Sequence, residues 1–361
     1  MNDFDHFGIA FTGRTPATQI IDYAKIAERE GIGSIWMTES LYFRGALTTM
    51  MAVAAQTERI QIGPGVASIF GRHPAVMAME SANIDEISNG RFFLGLGATP
   101  FEPIPDFKSL RPLRAFREYM EIFKGLIARE IVDYEGEIFR LVKAEHFSPT
   151  MTSLNFEPYR TRIPIYIGTT GPMTLRLAGA LADGVILTNL SNPDYIRWVT
   201  AHVRQGALKA GRDPSECKIC AYITISVDDD RQAAIEATRE ILAIYYHNVG
   251  EVAASEVGSP SESMELLGVT AEHYHILDKA LHSGGVESAK ELIGKEEIQR
   301  SAVAGTPNDC VDQLIPFFEA GLNVPIAFHT LGPDKRRAIQ LLGREVIPEL
   351  RKRSLKTSAR S

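Results

Sequence analysis

The chain alternates two kinds of hydrophobic pattern. Short continuous apolar runs bounded by Gly or Pro read as buried strands. Longer stretches with apolar residues every three or four positions read as helices packed on one side of a sheet. Phe7-Gly8-Ile9-Ala10-Phe11 is the first strand. Thr15-Pro16 opens a helix to Gly31, with Ile20, Ile21, Ala24, Ile26 and Ala27 facing the core. Further strands are expected at Ser34–Met37, Arg59–Val66, Arg91–Gly97, Pro164–Gly168, Gly184–Leu187, Lys218–Val227 and Asn323–Phe328. Helices are expected at Ala46–Gln56, Pro74–Ser88, Pro112–Arg129, from Pro172, at Pro193–Ala210 and at Pro307–Ala320, and a surface hairpin at Ile131–Phe139.

Eight strands alternating with helices predict a parallel α/β protein, and their spacing fits a (β/α)8 TIM barrel. A doubly wound sheet is the competing arrangement. We expect one barrel domain over residues 1–361, with a helical insertion at about 229–302 between strands seven and eight. That insertion is either a lid or contact surface, or a helical cover without chemistry.

Composition narrows the function. The 361 residues are 45% hydrophobic and 23% charged, which is ordinary globular content. A net charge of −7 without a basic patch argues against a nucleic-acid partner. No apolar run approaches the ~18 residues of a membrane span. The acidic start Met1-Asn2-Asp3-Phe4-Asp5 has no signal core, and the three cysteines, Cys217, Cys220 and Cys310, cannot form a disulfide framework. A cytoplasmic location is therefore expected. The basic stretch from Arg351 to Ser361 reads as a frayed tail.

In a barrel, chemistry sits at the C-terminal ends of the strands. These ends carry Thr12, Thr38-Glu39-Ser40, Ala67-Ser68, Ala98-Thr99, Thr169-Thr170, Thr188-Asn189, Asp228 and His329. Hydroxyls and an amide dominate. There is no lysine for a Schiff base and no local ligand spacing for a metal, so no metal is assigned. Cys217 and Cys220 read as buried thiols, and His273-Tyr274-His275 as packing or solvated residues. Such a site suits an organic cofactor that brings its own reactivity. Gly168-Thr169-Thr170-Gly171-Pro172 could hold a phosphate through close backbone approach, hydroxyls and a helix N-terminus; the alternative is a plain turn capped by Thr170. Leu94-Gly95-Leu96-Gly97-Ala98-Thr99 is no dinucleotide fingerprint, because Pro100 and Pro103 prevent the required helix.

Several blocks together resemble the bacterial luciferase-like flavin and deazaflavin oxidoreductases. They are Gly33–Glu39, Ile62–Val66, His73-Pro74-Ala75, Asp85–Gly97, Pro164–Gly168, Leu181–Val185 and Gly305–Cys310. Gly63–Val66, the 168–172 loop and Gly305–Cys310 are most similar to the branch of F420-dependent methylenetetrahydromethanopterin reductases. The resemblance implies hydride transfer between coenzyme F420 and a small organic substrate. It places the cofactor on Gly65, Val66, Ala67, Ala98, Gly168, Thr169, Thr170 and Gly171, with a non-proline cis peptide at Gly65-Val66 and backbone donors from Gly65 to Ala67. Glu39, Ser40 and His329 are the candidate catalytic residues, with Glu102 a further acid; Glu39 could instead cap a loop or helix. Ala10, Ala98-Thr99-Pro100 and Ser40 stand where relatives carry acids or a histidine, so the pterin substrate does not carry over. FMN with monooxygenase chemistry is the alternative, and a flavin-binding protein without catalysis is a third. The resemblance also implies a homodimer or larger homo-oligomer through the helices near strands two and three, where Met50, Met51, Val53, Ala54, Met77 and Met79 offer apolar surface.

Overall fold

In a computed structural model of the chain, residues 7–98, 111–142, 152–254 and 262–358 are described. The expected acid Glu102, with Thr99, Pro100 and Pro103, lies outside them. The elements run β1 (Gly8–Thr12), α1 (Ala17–Arg29), β2 (Ser34–Thr38), α2 (Ala46–Ala54), β3 (Gln61–Pro64), β4 (Ala67–Ser68), α3 (Pro74–Ile87) and β5 (Leu94–Gly97). Next come α4 (Pro112–Ile127), the hairpin β6 (Tyr134–Glu135) and β7 (Arg140–Leu141), β8 (Ile165–Gly168), α5 (Pro172–Leu181), β9 (Gly184–Leu187), α6 (Pro193–Lys209) and β10 (Lys218–Val227). The insertion holds α7 (Arg231–Glu236), α8 (Arg239–Ala254), α9 (Glu262–Leu267), α10 (Ala271–Lys290) and α11 (Lys295–Ser301). The chain ends with β11 (Ala302–Gly305), α12 (Pro307–Glu319), β12 (Val324–Phe328), α13 (Lys335–Leu341) and α14 (Ile347–Ser358).

The strands pair in parallel in the order β3-β2-β1-β12-β10-β9-β8-β5-β4. β3 and β4 are two halves of one stave, joined through Gly65-Val66, and Ile62 bridges Phe92 beside β5. The ring is thereby nearly closed, as the alternation of patterns predicted. Trp36, Phe93, Ile186, Tyr222, Ile326 and Phe328 fill its interior. A larger apolar shell lies between staves and helices. Each such side chain contributes roughly 1.5–3 kcal/mol on burial, which is what drives the two layers together.

The fold departs from the sequence reading at three places. The third stave is broken where one continuous strand was expected over Arg59–Val66: β3 ends at Pro64 and β4 begins at Ala67, with the expected cis peptide Gly65-Val66 between them. No strand is expected between the insertion and the helix at Pro307, yet β11 forms there, with Ala302–Gly305 pairing in parallel with Thr224–Val227 of β10. The stretch read as a frayed tail is helical as far as Ser358. Elsewhere the punctuation held: Pro74, Pro112, Pro172, Pro193 and Pro307 each sit in the first turn of a helix.

The barrel's outer hairpin is fixed by one carboxylate. Glu118 on α4 accepts the backbone N–H groups of Glu137, Ile138 and Phe139 at 2.9, 2.8 and 2.9 Å, and Arg114 donates to it at 2.8 Å. Burial raises its pKa, but those hydrogen bonds outweigh it and hold the carboxyl at about 2, against an ordinary 4.5.

Candidate active site

A cavity of about 990 Å3 opens at the C-terminal ends of the strands. Its floor is the break between β3 and β4. The Tyr222 hydroxyl donates to the Gly65 carbonyl from inside the barrel, and the Gly65 N–H donates to the Met37 carbonyl at 2.8 Å. The expected backbone donor at Gly65 is therefore already taken up within the fold. Two glycines make the floor. A Cβ on Gly65 would lie 2.3 Å from the Tyr222 Oη, and one on Gly168 would lie 2.7 Å from Val66 Cγ1. Any larger residue at either position would push the floor into the cavity.

Hydroxyls also line the cavity, Thr12, Thr38 and Ser40 at the neighbouring ends of β1 and β2, and Thr169, Thr170 and Thr188 at those of β8 and β9. Gly171, not Thr170, is the N-cap of α5, and its N–H takes the Thr169 Oγ1 at 3.2 Å. Thr170 is thus not the helix cap of the alternative turn reading. Arg14, on the loop after β1, adds a cation, with its guanidinium 4.9 Å from the centroid of Phe43.

His329, just past β12, reaches the cavity with a left-handed backbone, φ +68°. Lys335 Nζ donates to its carbonyl at 2.5 Å and to that of Thr330 at 3.5 Å. Its Nε2 meets the hydroxyl of Tyr245 on α8. Burial, then the charges of Lys335 and Arg14, lower the imidazole to about 3, so it is neutral at physiological pH. Asn189, 4% exposed, also lines the cavity, and its Oδ1 has no hydrogen-bond partner. Its side chain approaches the Tyr245 hydroxyl.

The expected site residues divide sharply. Ser40, Gly65, Val66, Gly168, Thr169, Thr170 and His329 line one cavity. Glu39, Ala67, Ala98 and Gly171 are not among its lining. Glu39 turns away: Arg72 donates to its Oε2 at 2.7 Å, and the N–H of Ala46, at the start of α2, donates to its Oε1 at 3.4 Å. Its side chain is 7% exposed. The three thiols are buried and free, with Cys217 and Cys310 pushed by burial to about 12 and Cys220 also pushed well above its ordinary value. His273 packs at the Thr270 cap of α10. Among the described residues, no group of His, Cys, Asp and Glu is arranged to hold a metal.

Sequence reading missed Tyr222, Asn248 and Tyr245 and gave Arg14 and Asn189 no role. Tyr222 sits mid-strand, where an aromatic reads as core. Tyr245 and Asn248 sit in the helical insertion. Asn189 was visible as a polar residue at a strand end. From the insertion, Glu240, Ile241, Ile244, Tyr245, Asn248 and Val286 all line the cavity.

A parallel barrel with a cavity at its strand ends, floored by glycines and ringed by hydroxyls, defines a cofactor-type barrel enzyme. The chain belongs to the luciferase-like monooxygenase family, whose model matches residues 4–323, and so to a class of oxidoreductases. It is 33% identical to the 5,10-methylenetetrahydromethanopterin reductase of Archaeoglobus fulgidus, over 96% of this chain and 99% of that protein. It is 30% identical to the F420-dependent glucose-6-phosphate dehydrogenase of Nocardia farcinica, over 92% and 94%. The solved coenzyme F420-dependent tetrahydromethanopterin reductase of Methanopyrus kandleri superposes with a TM-score of 0.84 at 28% identity, covering 96% of this chain and 99% of that one.

Proposed function

We propose that the chain is a coenzyme F420-dependent oxidoreductase acting on a small organic substrate. The observation that carries this reading is the cavity lining, where Gly65 and Gly168, with no room for a Cβ, lie beside Val66 among threonine and serine hydroxyls. A planar ring fits there, and Thr169 and Thr170 with Arg14 suit an anionic tail. The orphaned Oδ1 of Asn189 fits a donor on a bound ligand. Similarity to F420-dependent relatives over nearly the whole chain supports the same cofactor. Ala67, Ala98 and Gly171, also expected at the cofactor, lie outside this lining. Bound there, the deazaflavin supplies a hydride donor or acceptor. The protein's residues orient it, exclude water and manage the proton, with Ser40 and His329 on the cavity wall.

No described helix is long and apolar enough to cross a membrane. We also propose a homodimer through α2 and α3. Met50, Val53, Ala54 and Met77 are buried within the chain, while Val76, Met79 and Ile87 remain exposed on α3. Light scattering on the purified protein tests this; a monomer at micromolar concentration contradicts it.

Purification from an F420-producing host tests the main reading. Absorbance and fluorescence of co-purifying F420 are expected. Tightly bound FMN with oxygen consumption would establish the monooxygenase alternative instead.

A further inference from the structure

The insertion builds the wall of the cavity that faces the barrel. α8 contributes Glu240, Ile241, Ile244, Tyr245 and Asn248, and α10 contributes Val286. Ile241, Ile244 and Val286 give this wall its apolar surface, and its one charged side chain, Glu240, is an anion. Among the described lining residues the one arginine, Arg14, comes from the β1 end, and no lysine lines the cavity. A phosphorylated substrate set against this wall would lose hydration without gaining a cation.

Tyr245 stands where three elements meet. Its hydroxyl contacts His329 Nε2 after β12, and Asn189 after β9 approaches it. A neutral His329 can donate its Nε2–H to the Tyr245 oxygen, and the Asn189 amide can donate a second hydrogen bond there. The phenolic hydrogen is then free to point into the cavity. Lys335, held on the His329 and Thr330 carbonyls, positions the imidazole.

Building on the F420 reading, we propose that this wall is the substrate subsite for an uncharged ketone or aldehyde with an apolar body, or the matching alcohol, and that Tyr245 is the catalytic proton donor to its oxygen. In reduction, the carbonyl carbon gains a hydride, with its electron pair, from the reduced deazaflavin. The C=O π pair moves to oxygen, and that oxygen takes the phenolic proton of Tyr245. The tyrosyl oxygen, held by His329 and Asn189, regains a proton from water; alcohol oxidation is the reverse. Burial holds the phenol above its ordinary pKa, so it stays protonated until the more basic alkoxide develops. An iminium carbon would need hydride alone, because its nitrogen simply loses positive charge, and a proton donor would then have no task.

The test uses the full chain with F420, isobutyramide as an unreactive carbonyl mimic, acetophenone as substrate and glucose 6-phosphate as a charged competitor. F420 fluorescence reports cofactor binding and, on the loaded protein, isobutyramide binding. Tyr245→Phe is expected to change F420 affinity less than about twofold and to weaken isobutyramide about tenfold. It is expected to lower kcat/KM for acetophenone reduction about 100-fold. Ile244→Lys, which leaves Tyr245 in place, should raise KM for acetophenone about tenfold with F420 affinity unchanged. The subsite is overturned if Tyr245→Phe leaves isobutyramide binding and turnover unaltered, or if glucose 6-phosphate is turned over in preference to the ketone. Failure of the wild-type chain to bind F420 would instead overturn the cofactor reading.

Discussion

Two strand ends that look alike in sequence end in opposite states. After β2, Glu39 is tied to Arg72 and to the start of α2, both oxygens engaged, with its side chain 7% exposed. After β12, His329 is turned by a left-handed backbone into the cavity and faces Tyr245 from a different part of the chain. Both are titratable residues at the catalytic end of a barrel. The difference is what saturates them. A carboxylate whose oxygens are used inside the fold stabilises the fold, whereas groups left facing a cavity are available to a ligand. Asn189 Oδ1, buried and unpartnered, belongs to the second kind.

Substitutions at the two ends should therefore read out differently. The largest effect is expected at the floor. Gly168→Val forces a branched side chain against Val66 and should weaken F420 binding by at least about 100-fold, measured by fluorescence titration on the folded variant, at a stability cost of about 1–3 kcal/mol. Wild-type affinity would mean that the cofactor does not use this floor. Next is Glu118→Ala, which leaves three backbone N–H groups beside α4 without their acceptor and should cost about 3 kcal/mol in urea unfolding, with F420 affinity intact. Because the Glu118 pKa is lowered on folding, its contribution is full above about 4.5 and fades as pH falls toward about 2. The wild-type protein should lose that increment across this acid window, and Glu118→Gln should not.

Glu39→Gln is expected to cost about 1–2 kcal/mol of stability while changing kcat less than about threefold. A collapse of kcat with unchanged stability would move Glu39 back into the chemistry and erase the contrast with His329. Thr170→Val should weaken F420 about tenfold through the loss of one hydroxyl contact. Finally, the lowered pKa of His329 predicts no break in kcat/KM near the ordinary histidine value of 6.5, because the ring is neutral down to about 3. A break near 6.5 that disappears in His329→Asn would contradict the neutral ring.

How far the sequence carried the structure follows from the range of each interaction. Staves and helices were legible because prolines and glycines punctuate local patterns, and Gly65-Val66 was legible by resemblance. β11 was not, because its conformation comes from pairing with Thr224–Val227, about eighty positions earlier in the chain. The pairing of Glu39 with Arg72 bridges 33 positions, and no local pattern marks it. Tyr245 and His329 lie 84 positions apart, and an aromatic in an amphipathic helix looks like core until the helix is laid over the cavity. The insertion, which the resemblance marks least, thus supplies six of the residues that line the cavity.

The most direct test of the account is a fluorescence titration of the purified, cofactor-free chain with F420 and, separately, with FMN. The account predicts saturable F420 binding, at least about tenfold tighter than FMN and weakened in Gly168→Val. Tighter binding of FMN, or F420 binding that Gly168→Val leaves unchanged, would contradict it.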